Sequence, residues 1–315
     1  MGTVVLSIDA ELCWGFHDSE TLPTARIASG RTGWRSLLAL CDEFDVPATW
    51  AVVGHLMLED CDGDHADHPA PPDWFDHERG PDALPTDWRF GRDLVEATAA
   101  AEVDHDIGCH TFSHVELGAS STSRQLARAE LAASIRAGRE CGIEASSFVF
   151  PRNNIGNRQA LAAYGIRCYR GHRPDAFTDG RVLRPLRKFA RGTVQTRPPP
   201  LVEPRIDPFG LVNVPASLFL FGFEGLPRSV LERVVGDPIV RQAKLGIDAV
   251  ADSEKLLHLW LHPNDLTDDR DVDRVRAIFE HVDRRRETDG LQVRTMADVA
   301  DAALAERQWA DLEPA

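Results

Sequence analysis

Lysine is nearly missing from this chain. Only Lys188, Lys244 and Lys255 occur among 35 basic residues, which leaves 32 arginines. Against them stand 50 Asp and Glu residues, for a formal net charge of −15. That balance argues against sequence-independent binding of nucleic acid, which needs a basic footprint. An acidic, lysine-poor, Asp-rich surface suits a high-salt cytosol, where screening suppresses self-repulsion. A high-GC genome would also favour Arg over Lys. Paired cysteines are missing as well. Cys13, Cys41, Cys61, Cys109, Cys141 and Cys168 are widely and irregularly spaced, with no CxxC. This argues against a disulfide framework or a thiolate zinc site and for reduced, packed thiols. No apolar run approaches the roughly 18 residues of a membrane span. The opening MGTVVLSIDAELCWG has no basic n-region, no long apolar h-region and no small-residue cleavage site, and Leu6 breaks the myristoylation pattern. The expected setting is the cytoplasm. There is no internal repeat and no domain linker.

What is present is a regular alternation of strands and helices. Strands are expected at 3–9 (TVVLSID), 47–54 (PATWAVVG), 103–110, 146–151 (SSFVFP), 166–171 (IRCYRG), 255–263 (KLLHLWLHP) and near 291–294. The run 211–221 (LVNVPASLFLF) reads as a strand bent at Pro215. Helices are expected at 31–44, 122–141, 159–164, 227–235, 239–249 and 272–288, with a last one from Met296. Residues 59–93, rich in Asp, His and Pro, read as an irregular insertion, and 192–210 as a loop. Such alternation implies a parallel sheet with helices outside, closed as a barrel or doubly wound. A chain of 315 residues with 43% hydrophobic content fills one such unit.

Chemistry in these folds collects where strands end at their carboxyl edge. Asp9 and Glu11, His110, Pro151 with Arg152, and His262 all fall at expected strand ends, which suggests one shared site. His110 and His114 stand four apart. On a helical turn both imidazoles would lie on one face and grip one ion. HxxxH alone also fits two unrelated histidines, one capping or packing. Asp9 and Glu11, two apart at a strand end, supply a carboxylate for a His₂–carboxylate metal triad and a spare base. An acid capping a helix and a surface Glu are the plainer alternative. His262 ends LLHLWLH, with His258 four earlier on the same face; one of them fits a hydrogen-bonded core histidine. His262, nearer the strand end, is the candidate proton donor to a leaving amine.

Arg152, Asn153 and Asn154 in FPRNN fit substrate positioning beside an oxyanion, or an ordinary turn. In the insertion, DCDGDHADH resembles a calcium loop, but Gly63 is out of register and no Glu follows at the twelfth place. His65 and His68 are expected to be solvated. Trp14 and Trp74 are candidates for stacking on substrate, as is Trp88. Covering the barrel mouth is the other reading of the insertion tryptophans.

Taken in order, SIDAE, PATWAVVG, HTFSH with its DIG lead-in, FVFPRN and LWLHP resemble the polysaccharide deacetylase (NodB-homology) family, carbohydrate esterase family 4. The resemblance covers residues 3–170 well and 211–300 more loosely. It implies a distorted (β/α)7 barrel, NodB-like, as a single domain over 1–315 with the acidic insertion at 59–93. It also implies a divalent metal, usually zinc, and hydrolysis of N-acetyl groups on glycans. By position, His110 and His114 would be metal ligands, Asp9 the general base and His262 the general acid. Two departures stand out. Ala10 interrupts the family's adjacent acids, so the metal carboxylate must be Glu11. The family's arginine two residues before the proline is Val149 here, and Arg152 follows the proline instead. The implied activity is metal-dependent removal of an N-acetyl group from an amino sugar or glycan intermediate, such as a nucleotide- or lipid-linked one. Related alternatives are amide hydrolysis on a small non-sugar molecule and glycan binding without turnover.

Overall fold

The computed structural model describes residues 1–80, 83–174, 197–222 and 237–310. Its strands are β1 (Thr3–Ala10), β2 (Thr49–Val52), β3 (Asp106–Cys109), β4 (Ser147–Phe148), β5 (Cys168–Gly171), β6 (Arg205–Ile206), β7 (Val212–Pro215), β8 (Leu218–Phe219), β9 (Leu256–Leu261) and β10 (Gln292–Arg294). The helices are α1 (Thr24–Glu43), α2 (Thr86–Arg89), α3 (Arg92–Ala99), α4 (Arg124–Glu140), α5 (Arg158–Ala163), α6 (Pro238–Ala251), α7 (Asp269–Asp289) and α8 (Met296–Ala310).

From β5 to β1 the sheet runs in chain order, every pair parallel, and β1 then pairs with β9. The ring is completed by one bent strand. β7 pairs with β5, the chain turns after Pro215, and β8 pairs with β9. Ala216 N–H donates to Gly171 O at 3.0 Å and Ser217 N–H to His258 O at 2.9 Å, so adjacent residues serve opposite sides of the closure. Proline lacks the N–H that a straight ladder would need there. Seven staves result, the expected distorted (β/α)7 barrel. β6 adds an antiparallel hairpin to β7, and β10 pairs with β1 below β2.

The period of two in each strand decides which side chains enter the lumen. On β1, Val4, Leu6, Ile8 and Ala10 face outward into the main core under the helices, while Val5 lies in a separate inner cluster. Ser7 and Asp9 share Val5's parity and therefore point inward. On β9, Leu257, Leu259 and Leu261 belong to the outer core, which turns His258, Trp260 and, just past the strand, His262 inward. On β5, Tyr169 is outward and Cys168 inward, so Arg170 is inward as well.

Element boundaries differ from expectation where periodicity is weak. α1 begins at Thr24 rather than 31, adding two turns that bury Ile27 and Gly30. A Cβ on Gly33 would lie 2.1 Å from Pro263 O, so this helix approaches the turn after β9 more closely than any other residue allows. β4 is only two residues long, stopped ahead of Pro151. The insertion at 59–93 is mostly irregular, but it holds a 3₁₀ turn at Asp76–Glu78, the short α2 and the start of α3. The helix expected at 227–235 lies outside the described residues, as do residues 192–196 of the expected loop.

Candidate metal and acid–base site

The carboxyl ends of β1, β3 and β9 bring Asp9, Glu11, His110, His114 and His262 together. His114 Nε2 lies 3.0 Å and His110 Nε2 3.5 Å from the same oxygen, Glu11 Oε2. The two imidazole centroids are 5.1 Å apart. No helix arranges them, contrary to the helical turn considered above. His110–His114 is an irregular turn with Thr111 at φ 59° and His114 at φ 63°. Glu130 of α4 imposes that shape. Its buried carboxylate accepts the N–H groups of Phe112 (2.9 Å) and Ser113 (2.8 Å) and the Ser113 hydroxyl (2.6 Å). Gly15 closes the other side: a Cβ there would lie 2.1 Å from Glu11 Oε1.

The donor set fits a divalent metal. His110 donates Nδ1–H to Val149 O at 2.9 Å, which leaves Nε2 with a free lone pair aimed into the cluster. That nitrogen is buried and has no hydrogen-bond partner. Two imidazoles and one carboxylate within 4.8 Å of one another form a common zinc-type set with room for further ligands. Burial opposes the charge on Glu11, yet the imidazoles of His262, His114 and His110 hold its carboxyl well below the usual range. Burial pushes His114 down, toward the neutral ligand form.

Asp9 stands beside this triad and is only 3% exposed. Arg170 clamps it in a two-pronged pair, Nη1 to Oδ1 at 2.6 Å and Nη2 to Oδ2 at 2.7 Å. Burial raises the cost of its charge, but Arg170, with help from His262 and His110, holds the carboxyl below its ordinary value. Arg170 is itself fixed by the Asn153 amide oxygen at 3.0 Å and the Ser7 hydroxyl at 3.1 Å, with its guanidinium 4.2 Å from the centre of the Trp260 ring. Across the site, His262 Nε2 is 3.8 Å from Asp9 Oδ2 and 3.9 Å from Glu11 Oε1. Its Nδ1 faces Asp265 Oδ2 at 2.9 Å. Burial disfavours the imidazolium, but Asp265, Glu11 and Asp9 outweigh it and raise the group to about 9. His258 is the core histidine: fully buried, bonded to Ser7 and Val214, and pushed down to about 3 by burial and by Arg170.

Several expected substrate contacts are placed elsewhere. Trp14 is fully buried, gives its indole N–H to Arg89 O at 3.1 Å and packs at a tilt against His55, so it is a packing residue. Arg152 sits at the rim, paired with Asp18 and Glu116, and does not reach Asp9. Asn153 faces Arg170, so it positions the clamp. Trp74 is half-buried, with its N–H held by Ser113 Oγ at 2.9 Å. His65 and His68 are not solvated: His65 stacks on Phe75 at 3.8 Å and His68 lies 3.3 Å from Glu130. Arg170, Asp265 and Glu130 were not singled out from sequence. The only signal for Arg170 was an arginine at the inward parity of an apolar strand.

Residues 20–168 match the family model described as polysaccharide deacetylase. That span, just under half of the chain, is similar to the polysaccharide deacetylase family. The reading as a deacetylase-type hydrolase of amide bonds is borne out. The matched span contains His110 and His114, while Asp9, Glu11, Arg170 and His262 lie outside it. The fold is shared with a candidate polysaccharide deacetylase from Mycobacterium smegmatis at TM-score 0.61 and 17% identity, over 97% of this chain and 91% of that one. It is shared also with one from Pseudomonas aeruginosa PAO1 at 0.60 and 14%, over 99% and 92%. Puue allantoinase aligns at 0.58 and 15%, over 99% and 91%. No match was found among curated proteins. In this deacetylase relative the arginine against the Asp at the end of β1 comes from β5. The family's position before the proline, Val149, packs instead into the inner cluster.

Proposed function

We propose that this deacetylase relative removes the N-acetyl group of an amino sugar or glycan intermediate by metal-dependent hydrolysis. The observation that carries the reading is the convergence of Glu11, His110 and His114 on one point, flanked by an anionic Asp9 and a cationic His262. A divalent ion held by Glu11, His110 and His114, zinc by the chemistry of the donors, would polarise the acyl oxygen and acidify a water. Asp9, kept ionised by Arg170, takes the proton from the attacking water. His262, its Nδ1 fixed by Asp265, presents Nε2 from the opposite side and protonates the departing amine. The amide C–N bond breaks as the new C–O bond forms, giving acetate and the free amine.

A cytoplasmic setting is part of the proposal. All six cysteines are free, as a reducing compartment requires. That setting points to a biosynthetic intermediate rather than a finished wall polymer. The near-complete burial of Asp9 and Glu11 also favours an acyl group on a compact molecule. The same burial keeps open a second reading, hydrolysis of a small non-sugar amide.

The test is acetate release from a panel of N-acetylated amino sugars, with ammonia release and ring opening of small amides assayed in parallel. Chelation should abolish activity and zinc restore it. His110→Ala and Glu11→Gln should be inactive. Chelator-resistant turnover, or full activity in His110→Ala, overturns the proposal.

A further inference from the structure

We propose that His55, Cys61, His65 and Glu78 form a second, structural metal site that binds a zinc-type dication and fastens the 59–93 insertion to the barrel mouth. The four side chains offer one thiol, two imidazoles and one carboxylate, with ligand atoms all within 4.8 Å of one another. His65 Nε2 is 3.3 Å from Cys61 Sγ and 2.7 Å from Glu78 Oε2. Glu78 Oε2 is 3.9 Å from Cys61 Sγ, and Glu78 Oε1 is 2.7 Å from His55 Nε2. Tetrahedral zinc with bonds of about 2.0–2.3 Å separates its ligands by roughly 3.3–3.8 Å. The cluster therefore needs only a small retreat of Glu78 to enclose an ion.

His55 supplies the independent sign. It is fully buried beneath the cluster, against Trp14, Phe90 and Phe112. By angle neither ring nitrogen nor Glu78 Oε1 has a directed hydrogen bond, and what holds Nε2 is an ion-pair approach of 2.7 Å to that oxygen. Burying such groups unsatisfied is costly, and proteins rarely leave them so. An ion between them satisfies both. Gly63 N–H points at Cys61 Sγ from 3.3 Å, the outer support that a thiolate ligand takes. A thiolate with imidazoles selects zinc-type ions over calcium or magnesium.

The position explains what the ion would do. His55 lies on the 3₁₀ turn right after β2, whereas Cys61, His65 and Glu78 lie in the insertion. The insertion has little regular structure of its own, and a metal cross-link orders such a segment. None of these ligands belongs to the Glu11, His110 and His114 set. The buried Trp14 ring packs at a tilt against His55 at a 4.3 Å centroid distance, close to where Gly15 abuts Glu11, so the second ion would also brace the first site from behind.

The inference stands apart from the catalytic reading and is tested without turnover. The full chain is loaded with Zn²⁺ and its bound metal counted, then loaded with Co²⁺ and its spectrum recorded. Only the second site holds a sulfur, so a thiolate-to-cobalt charge-transfer band reports it alone. Wild type should show that band and two ions per chain. Cys61→Ser should lose the band and bind one ion. Cys141→Ser should keep both, and His110→Ala should bind one ion while keeping the band. A wild-type cobalt spectrum without a thiolate band overturns the proposal, and that spectrum decides even if Cys61→Ser fails to fold. A band with only one ion in wild type supports this site and counts against the catalytic metal.

Discussion

At the scale of single residues, the site depends on two charge pairs. Arg170 keeps Asp9 ionised, and Asp265 keeps His262 protonated. Arg170→Met removes a cation from a buried carboxylate, so the Asp9 carboxyl should titrate at higher pH. A base must be ionised to act, so the acid limb of kcat/KM should move upward in pH, with a loss of ~10²–10⁴-fold at neutrality. The depressed value also means that the pair stabilises the fold at neutral pH and loses that effect as pH falls through the native value. His262 is raised to about 9, so its proton is present below that pH and lost above it. A cation on Glu11 cancels part of the negative field, so in the loaded enzyme the alkaline limb should begin below 9. Asp265→Asn removes the largest of the raising charges, and the limb should retreat further. The pH profiles of both variants, measured against wild type, check these signs. An unmoved alkaline limb in Asp265→Asn would remove His262 from the role of acid.

At the scale of elements, the ligand-bearing turn 110–114 has no stable conformation of its own. Two of its five residues sit at positive φ, which non-glycine residues adopt at a cost. The turn holds because α4 presents Glu130 to the backbone N–H groups of Phe112 and Ser113. Glu130→Ala orphans those two buried donors, at about 1–3 kcal/mol each. Denaturant unfolding should show that loss in midpoint, and zinc affinity should weaken in parallel because both imidazoles lose their support. Stability unchanged within a few tenths of a kcal/mol would mean another contact shapes the turn. The bent strand β7–β8 is the other decisive element, since among the described residues it links β5 to β9 and so sets Arg170 within reach of Asp9.

At the scale of the whole molecule, the surface carries the excess charge of −15. Raising KCl from about 0.1 to about 1 M shortens the Debye length from ~10 to ~3 Å and should relieve self-repulsion. The urea midpoint is therefore expected to rise with KCl. A flat or falling midpoint would remove the high-salt reading of the composition. Among the described residues no helix is long and apolar enough to cross a membrane. The barrel keeps its chemistry at one end, and the insertion packs over that end through Trp14, Phe75 and Trp74.

The sequence by itself determined the alternation of strands and helices, the bend at Pro215 and the five polar residues at strand ends. Each is a local signal: a period of two, a missing N–H, a charge after an apolar run. Tertiary structure alone decided that Arg170 faces Asp9, that Asp265 and Glu130 support His262 and the histidine turn, and that Trp14 is interior. It likewise moved His65 from solvent to a packed cluster. Those outcomes depend on which staves are neighbours after the ring closes, and on side chains as far apart as Asp9 and Arg170. No spacing along the chain encodes such a meeting, because it is set by where β5 and β9 sit in the closed ring.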